Sequence, residues 1–206
     1  MEQKKDWREP YSTRPNMLAA IMANAKIPRR YQGADLHLDF PSIAENFDPD
    51  VSYFIHGPVG GGKTYLMCAM VKAILFSRWH RKEIALTTAR RMLINIQQSF
   101  GKPRRQALYA DDEEEYLAKT DCMETYYSEV ELLALDDLGT EHVTDWAEGT
   151  IREILNARYN ELLPTYITAN CSIKDLGDRA GQQIVSRITE DYHLIELTGK
   201  DRRTKR

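Results

Sequence analysis

Apolar and polar positions along the chain follow two rhythms in turn. Residues 51–56 (VSYFIH), 84–88 (IALTT), 131–137 (ELLALDD), 166–169 (YITA) and 192–197 (YHLIEL) are short, largely apolar runs of strand length. Between them the apolar residues recur at helical spacing. From Thr64, residues Leu66, Met67, Met70, Val71, Ile74 and Leu75 share one face, and Met92, Leu93 and Ile96 mark a helix over 89–98. Residues 116–127 read as helix, a long helix runs over 145–162 until Pro164 stops it, and a short one spans 181–189. Ahead of the first strand, Asn16 caps a short helix through Ala25 that Pro28 ends, and 32–50, with Gly33, Pro41 and Pro49, reads as a connector. No internal repeat is present. Strand and helix alternate, which predicts an α/β domain with a mainly parallel sheet covered on both faces.

Composition narrows this only slightly. The chain has 206 residues, 42% hydrophobic and 29% charged, enough for one domain with a buried core and too few for two full-sized ones. Disorder, collagen and a disulfide-stapled mini-protein are excluded. No apolar run reaches membrane-span length, and the amino end lacks an apolar signal core. Three widely spaced cysteines, Cys68, Cys122 and Cys171, point to a reduced, cytoplasmic setting without structural zinc. The net charge of −3 conceals an uneven distribution. Residues 1–31 hold seven Lys/Arg against three Asp/Glu, residues 199–206 five against one, and 111–115 are all acidic. The acidic run reads as solvated surface, and the basic ends as flexible tails or as contacts for phosphate or an acidic partner.

The chemistry concentrates at strand ends. Gly57-Pro58-Val59-Gly60-Gly61-Gly62-Lys63-Thr64 fits G-x-x-x-x-G-K-[ST] in full and lies between a predicted strand and an amphipathic helix. Consecutive backbone N–H groups must wrap a diphosphate, and glycine permits that turn and that close approach. The helix that follows aims its amino end at the same charge. Lys63 is placed for the β- and γ-phosphates of ATP, and the Thr64 hydroxyl for Mg²⁺. The run 132–135 (LLAL) delivers Asp136 and Asp137 to another strand end. Adjacent acids after an apolar run need a cation or water to compensate them: Asp136 to hold Mg²⁺ through water, Asp137 to orient the attacking water. Glycine cradle and carboxylate pair are expected to meet at neighbouring strand tips. Asn170, after Thr168-Ala169, is a candidate sensor of the γ-phosphate, and Arg187 in Ser186-Arg187-Ile188 a candidate trans-acting finger.

Taken in order, these motifs resemble the ATPase core of DnaC/DnaI-type helicase loaders and the related IstB transposition helpers, within the AAA+ class. The resemblance covers residues 27–203 and includes Ile27-Pro28-Arg29-Arg30-Tyr31, similar to a short segment these proteins carry ahead of the core. It implies a five-stranded sheet in the order 5-1-4-3-2 within a three-layer sandwich, with no or a minimal helical lid. It also implies ATP at subunit edges of a ring or spiral, Arg187 reaching a neighbour's nucleotide, Tyr31 and Tyr65 beside the nucleotide, and Arg203 near the phosphates. For single-stranded DNA it implies Phe100, at the end of a helix, with Thr144 and Trp146 after the second motif. Lys102, Arg104 and Arg105 lie near Phe100 to hold the DNA backbone. Core packing is the other reading of Phe100 and Trp146. A helical insertion at about 99–128 is expected within an ATPase domain of 27–206. Where loaders have a longer helicase-binding domain, residues 1–26 stand here as a short segment for helicase docking.

The expected function is ATP-dependent delivery of a hexameric DnaB-type replicative helicase onto single-stranded DNA, with slow hydrolysis. An IstB-like helper acting on duplex DNA is the nearest alternative. A small-molecule P-loop kinase is less consistent with the Asp136-Asp137 pair and Asn170, which suit water as the nucleophile. A nucleotide-gated binding module with negligible turnover is the remaining reading.

Overall fold

The structure, a computed structural model, describes residues 26–76, 83–100, 123–139, 144–180 and 182–198. Five strands form one sheet: β1 (Ser52–His56), β2 (Ile84–Thr88), β3 (Leu132–Leu138), β4 (Thr165–Ala169) and β5 (Tyr192–Glu196). Their order is β2-β3-β4-β1-β5, the expected 5-1-4-3-2 read from the other edge, and every pairing is parallel. Eight α-helices lie among the described residues, after a 3-10 turn at Arg29–Tyr31: α1 (Leu36–Asp39), α2 (Pro41–Ala44), α3 (Lys63–Leu75), α4 (Ala89–Ser99), α5 (Met123–Glu129), α6 (Asp145–Asn160), α7 (Ile173–Ala180) and α8 (Gln182–Asp191). Among the described residues, no helix is long and apolar enough to cross a membrane.

The strand period of two builds two cores from one sequence. Phe54, Leu133, Leu135 and Ile167 face one way, onto a layer containing Met92, Ile96, Ile151, Ile154 and Ile188. Tyr53, Ile55, Leu132, Ala134 and Tyr166 face the other, onto Leu66, Met70 and Ile74 of α3 and the segment containing Leu36 and Phe47. Central strands β3 and β4 are therefore apolar on both sides, which is why 132–135 reads as a continuous run. Helix α3 is buried on nearly every side, including Cys68 and Ala69 off the predicted face.

Three local expectations change. Residues 32–50 are not a plain connector. They hold α1 and α2, the first capped by Asp35, whose Oδ1 accepts the N–H groups of His37 (3.0 Å) and Leu38 (3.1 Å). The helix expected at 181–189 is present as α8, extended to Asp191, and a further helix, α7, precedes it over Ile173–Ala180. Helix α7 has a start signal in Ser172-Ile173-Lys174-Asp175. The Ser172 Oγ accepts the Asp175 N–H at 3.2 Å and donates to Asp175 Oδ2 at 2.7 Å. Finally, α6 ends at Asn160 rather than 162, with Leu162 left-handed at φ 54° before Pro164. The expected helix over 17–25 and most of the expected insertion lie outside the described residues.

Candidate functional site

Because all five strands run parallel, the turns after β1, β3, β4 and β5 leave from one edge of the sheet, where α/β folds bind ligands. The Gly57–Thr64 turn leaves β1 and enters α3 through Gly62, left-handed at φ 95°. The amino end of α3 has no side-chain cap and opens into a cavity of about 590 Å³. Val59, Gly60, Gly62, Lys63 and Thr64 line one wall, Asp136, Asp137 and Asn170 another, and Tyr31 and Tyr65 the mouth. Without lining the cavity, Gly57, Pro58 and Gly61 belong to the same turn. The Gly61 N–H closes it on the Pro58 carbonyl at 3.1 Å. Lys63 is 5% exposed, and its Nζ donates to the carbonyls of Gly57 (2.9 Å) and Pro58 (2.8 Å).

Gly57 has a separate reason to be glycine. Its φ is 146°, and a Cβ there would fall on the carbonyl oxygen of Leu197, just past β5. The Leu197 N–H in turn donates to the His56 carbonyl at 2.8 Å, so the end of β5 lies directly beneath the turn. Gly57→Ala is expected to lower stability by about 1–3 kcal/mol through backbone strain alone. A melting temperature within about 1 °C of the parent would contradict this packing.

The carboxylates lie on β3, one strand removed from β1, as the expected order 5-1-4-3-2 implies, rather than at the tip of the adjoining strand. β4 lies between β1 and β3 and contributes side chains of its own. Asp136, 8% exposed, accepts from the Thr64 hydroxyl (Oδ1 at 2.9 Å, Oδ2 at 3.1 Å) and from the Thr168 hydroxyl (Oδ1 at 2.6 Å). Burial pushes its carboxyl above the ordinary range. The Thr168 hydrogen bond opposes that rise, Asp137 adds to it, and the Thr64 hydroxyl and a backbone N–H oppose it. Asp137 is left-handed at φ 58°, and its Oδ1 accepts from the Asn170 side-chain amide at 3.2 Å. Thr64 and Asp136 are hard oxygen donors already in contact, so the donor set fits Mg²⁺, which takes one or two protein oxygens and completes its shell with phosphate and water. Beneath them, Cys68 is buried, and burial together with Asp136 pushes its thiol up to about 12, so it is an inert core residue.

The remaining candidates are distributed away from this cavity. Phe100 and Trp146 are 54% and 37% exposed and meet edge to face, ring centroids 6.4 Å apart, so neither is a core residue. Thr144 caps α6, its hydroxyl accepting the Ala147 N–H at 3.2 Å. The Arg187 guanidinium lies over the Tyr159 ring at 4.8 Å, with its Nη1 buried and without a hydrogen-bond partner among the described residues. Lys102, Arg104, Arg105 and Arg203 lie outside the described residues. Two residues at the site were not singled out from sequence. Arg30 lines the mouth beside Tyr31, within the segment already noted. Thr168 was quoted only as part of the run leading to Asn170.

No family model matches the chain, and no curated protein matches it in sequence. Solved structures do. A crystal structure of the DnaC helicase loader is 26% identical, with a TM-score of 0.58 over 83% of this chain and 100% of that one. A crystal structure of DnaI is 22% identical, TM-score 0.56, over 84% and 95%. The replication initiator DnaA bound to AMPPCP and single-stranded DNA is 19% identical, TM-score 0.58, over 82% of this chain and 48% of that one. This chain thus spans about half of the DnaA chain and the full length of the DnaC chain. With its strand order, its parallel pairing and a glycine turn between β1 and α3, the chain has the P-loop AAA+ fold of the DnaC/DnaI-type helicase loaders.

Proposed function

We propose that the protein is an ATP-dependent loader that binds single-stranded DNA and delivers a hexameric replicative helicase. The observation that carries this reading is the exposed Phe100–Trp146 pair, set on the fold of a helicase loader that also has a complete phosphate-binding turn. Two large aromatic rings held edge to face in solvent offer a surface on which unpaired bases stack whatever their identity. A metabolite kinase has no use for such a pair.

In this reading Lys63 exchanges the Gly57 and Pro58 carbonyls for phosphate oxygens, and the amino end of α3 receives the β-phosphate. Thr64 and Asp136 hold Mg²⁺, which when bound neutralises phosphate charge. Asp137, steadied by Asn170, orients the attacking water, and its reach is shorter than that of a glutamate, which suits slow turnover. Tyr31, Tyr65 and Arg30 border the nucleotide's outer end. Arg187 leaves Tyr159 when a neighbouring protomer presents its nucleotide, and its unpaired Nη1 then gains an acceptor. Arg203 completes the phosphate contacts. Thr144 holds Trp146 in place as the cap of α6, while Lys102, Arg104 and Arg105 supply backbone charge for DNA. Residues 1–26 dock the helicase, and 27–206 form the ATPase domain with its insertion at about 99–128.

The test is affinity for a fluorescent single-stranded oligonucleotide with and without MgATP, together with co-purification of a replicative helicase. Phe100→Ala and Trp146→Ala are each expected to weaken single-strand binding by about 1–3 kcal/mol, roughly 5- to 150-fold, and to leave ATP hydrolysis without DNA unchanged. Preference for duplex over single strands would favour the transposition-helper reading instead. Absence of a helicase complex in every nucleotide state would overturn delivery.

A further inference from the structure

Resting on the nucleotide-site reading above, we infer that Thr168 is the positioning residue for both acids, orienting the Asp136 carboxylate and holding the Asp137 backbone through a single hydroxyl. The argument begins with the register of β3 on β4. Leu135 pairs with Ile167 and Leu138 with Ala169, so two residues, Asp136 and Asp137, stand opposite one, Thr168. Such a bulge turns its extra residue out of the regular ladder and re-aims its side chain. Here Asp137 takes a left-handed φ of 58°, uncommon for a residue with a Cβ.

Thr168 supplies what the interrupted ladder lacks. It is fully buried. Its Oγ1 accepts the Asp137 N–H at 2.9 Å, holding the turned-out backbone, and donates its own proton to Asp136 Oδ1 at 2.6 Å. One hydroxyl has one proton to give and lone pairs to receive, so both bonds form together. The Asp136 carboxylate is thereby oriented from below by β4 while Thr64 meets it from the side of α3. Thr64 is the residue whose hydroxyl must turn to a metal. Thr168 stays on the carboxylate when it does. Nothing in the residue's sequence position announces this, since a Thr in a buried strand is ordinarily a packing residue.

The test compares Thr168→Val, which keeps the shape and loses both bonds, with Thr168→Ser, which keeps both. In the protein, Thr168→Val is expected to weaken Mn²⁺ binding in the presence of a non-hydrolysable ATP analogue, read by electron paramagnetic resonance, about 10-fold. It is also expected to raise the Mg²⁺ concentration for half-maximal hydrolysis about 10-fold and to lower kcat about 10- to 100-fold, as removing a ligand's supporting partner does. KM for ATP at saturating Mg²⁺ is expected to stay within about threefold, because the phosphate cradle is untouched. Thr168→Ser is expected to restore the parent Mg²⁺ dependence. Parent-like behaviour of Thr168→Val, or equal losses in the Val and Ser variants, would overturn the inference. Should Thr168→Val not fold, Thr168→Cys replaces it: its thiol is a weaker donor and acceptor, so an intermediate loss is expected and parent-like Mg²⁺ dependence overturns the role. A parent protein that takes up no MgATP in calorimetry overturns the nucleotide reading and this inference together. A parent that hydrolyses ATP while Thr168→Val matches it overturns only the role of Thr168.

Discussion

Lys63→Ala is expected to reduce ATP hydrolysis at least about 100-fold, the usual loss when a group aimed at developing charge is removed from a preorganised site. The ammonium is 5% exposed at the head of α3, within a turn that directs backbone N–H groups at the same point. In the structure it also staples that turn through the Gly57 and Pro58 carbonyls. Two consequences of the substitution must therefore be separated. Lys63→Met retains the aliphatic stem that fills the space and lacks only the charge. If the phosphate role is correct, Met and Ala variants lose hydrolysis equally, and nucleotide titration shows weakened binding in both. Hydrolysis by Lys63→Met at the parental rate would remove the nucleotide site, and with it the loader reading.

The largest effect on stability is expected at Arg158, which no motif identifies. Its side chain is completely buried in α6. Nε donates to Thr165 Oγ1 at 2.8 Å, Nη2 to the Pro164 carbonyl at 2.8 Å, and Nη1 to the carbonyls of Tyr127 (3.1 Å) and Val130 (2.7 Å). The guanidinium thus ties the end of α5 and the entry to β3 to the entry of β4, the two strands that present Asp136, Asp137 and Asn170. Burial pulls its pKa down to about 10, which leaves it charged at neutral pH. Arg158→Leu fills the volume but strands several buried carbonyls. Leaving a buried acceptor without its donor costs about 1–3 kcal/mol, so stranding several costs about 3–5 kcal/mol. At about 2–4 °C per kcal/mol for a chain of this size, the melting temperature falls by about 10 °C. Arg158→Lys keeps the charge without the planar fork and is expected to recover less than half of the loss. A shift under about 2 °C for Arg158→Leu, read by circular dichroism, would show that the carbonyls find other donors.

Much of the fold is legible because burial on both faces leaves an unmistakable trace. Strand β3 reads as an apolar run since each face of it meets a core, and β2 was bounded correctly at 84–88 by its change to helical period at Ala89. The glycine turn is legible for a related reason: its backbone demands residues without a Cβ, and few other sequences satisfy that demand. Helices α1, α2 and α7 were less visible. One-turn helices bury too little to impose a period, and α7 spans only about two turns, opened by its Ser172–Asp175 cap.

The amino-acid sequence by itself determined the α/β class, the phosphate-binding turn and the acidic pair, because each depends on local backbone demands or on a periodicity of burial. The tertiary structure alone decided that Thr168 stands opposite Asp136 and Asp137 across a bulge, bonded to one carboxylate and to the other residue's N–H, and that Arg158 joins three chain segments. It also decided that Phe100 and Trp146, 46 residues apart, meet in solvent rather than in a core. These are relations between distant segments. They are set by sheet register and helix docking, which no single stretch of residues encodes.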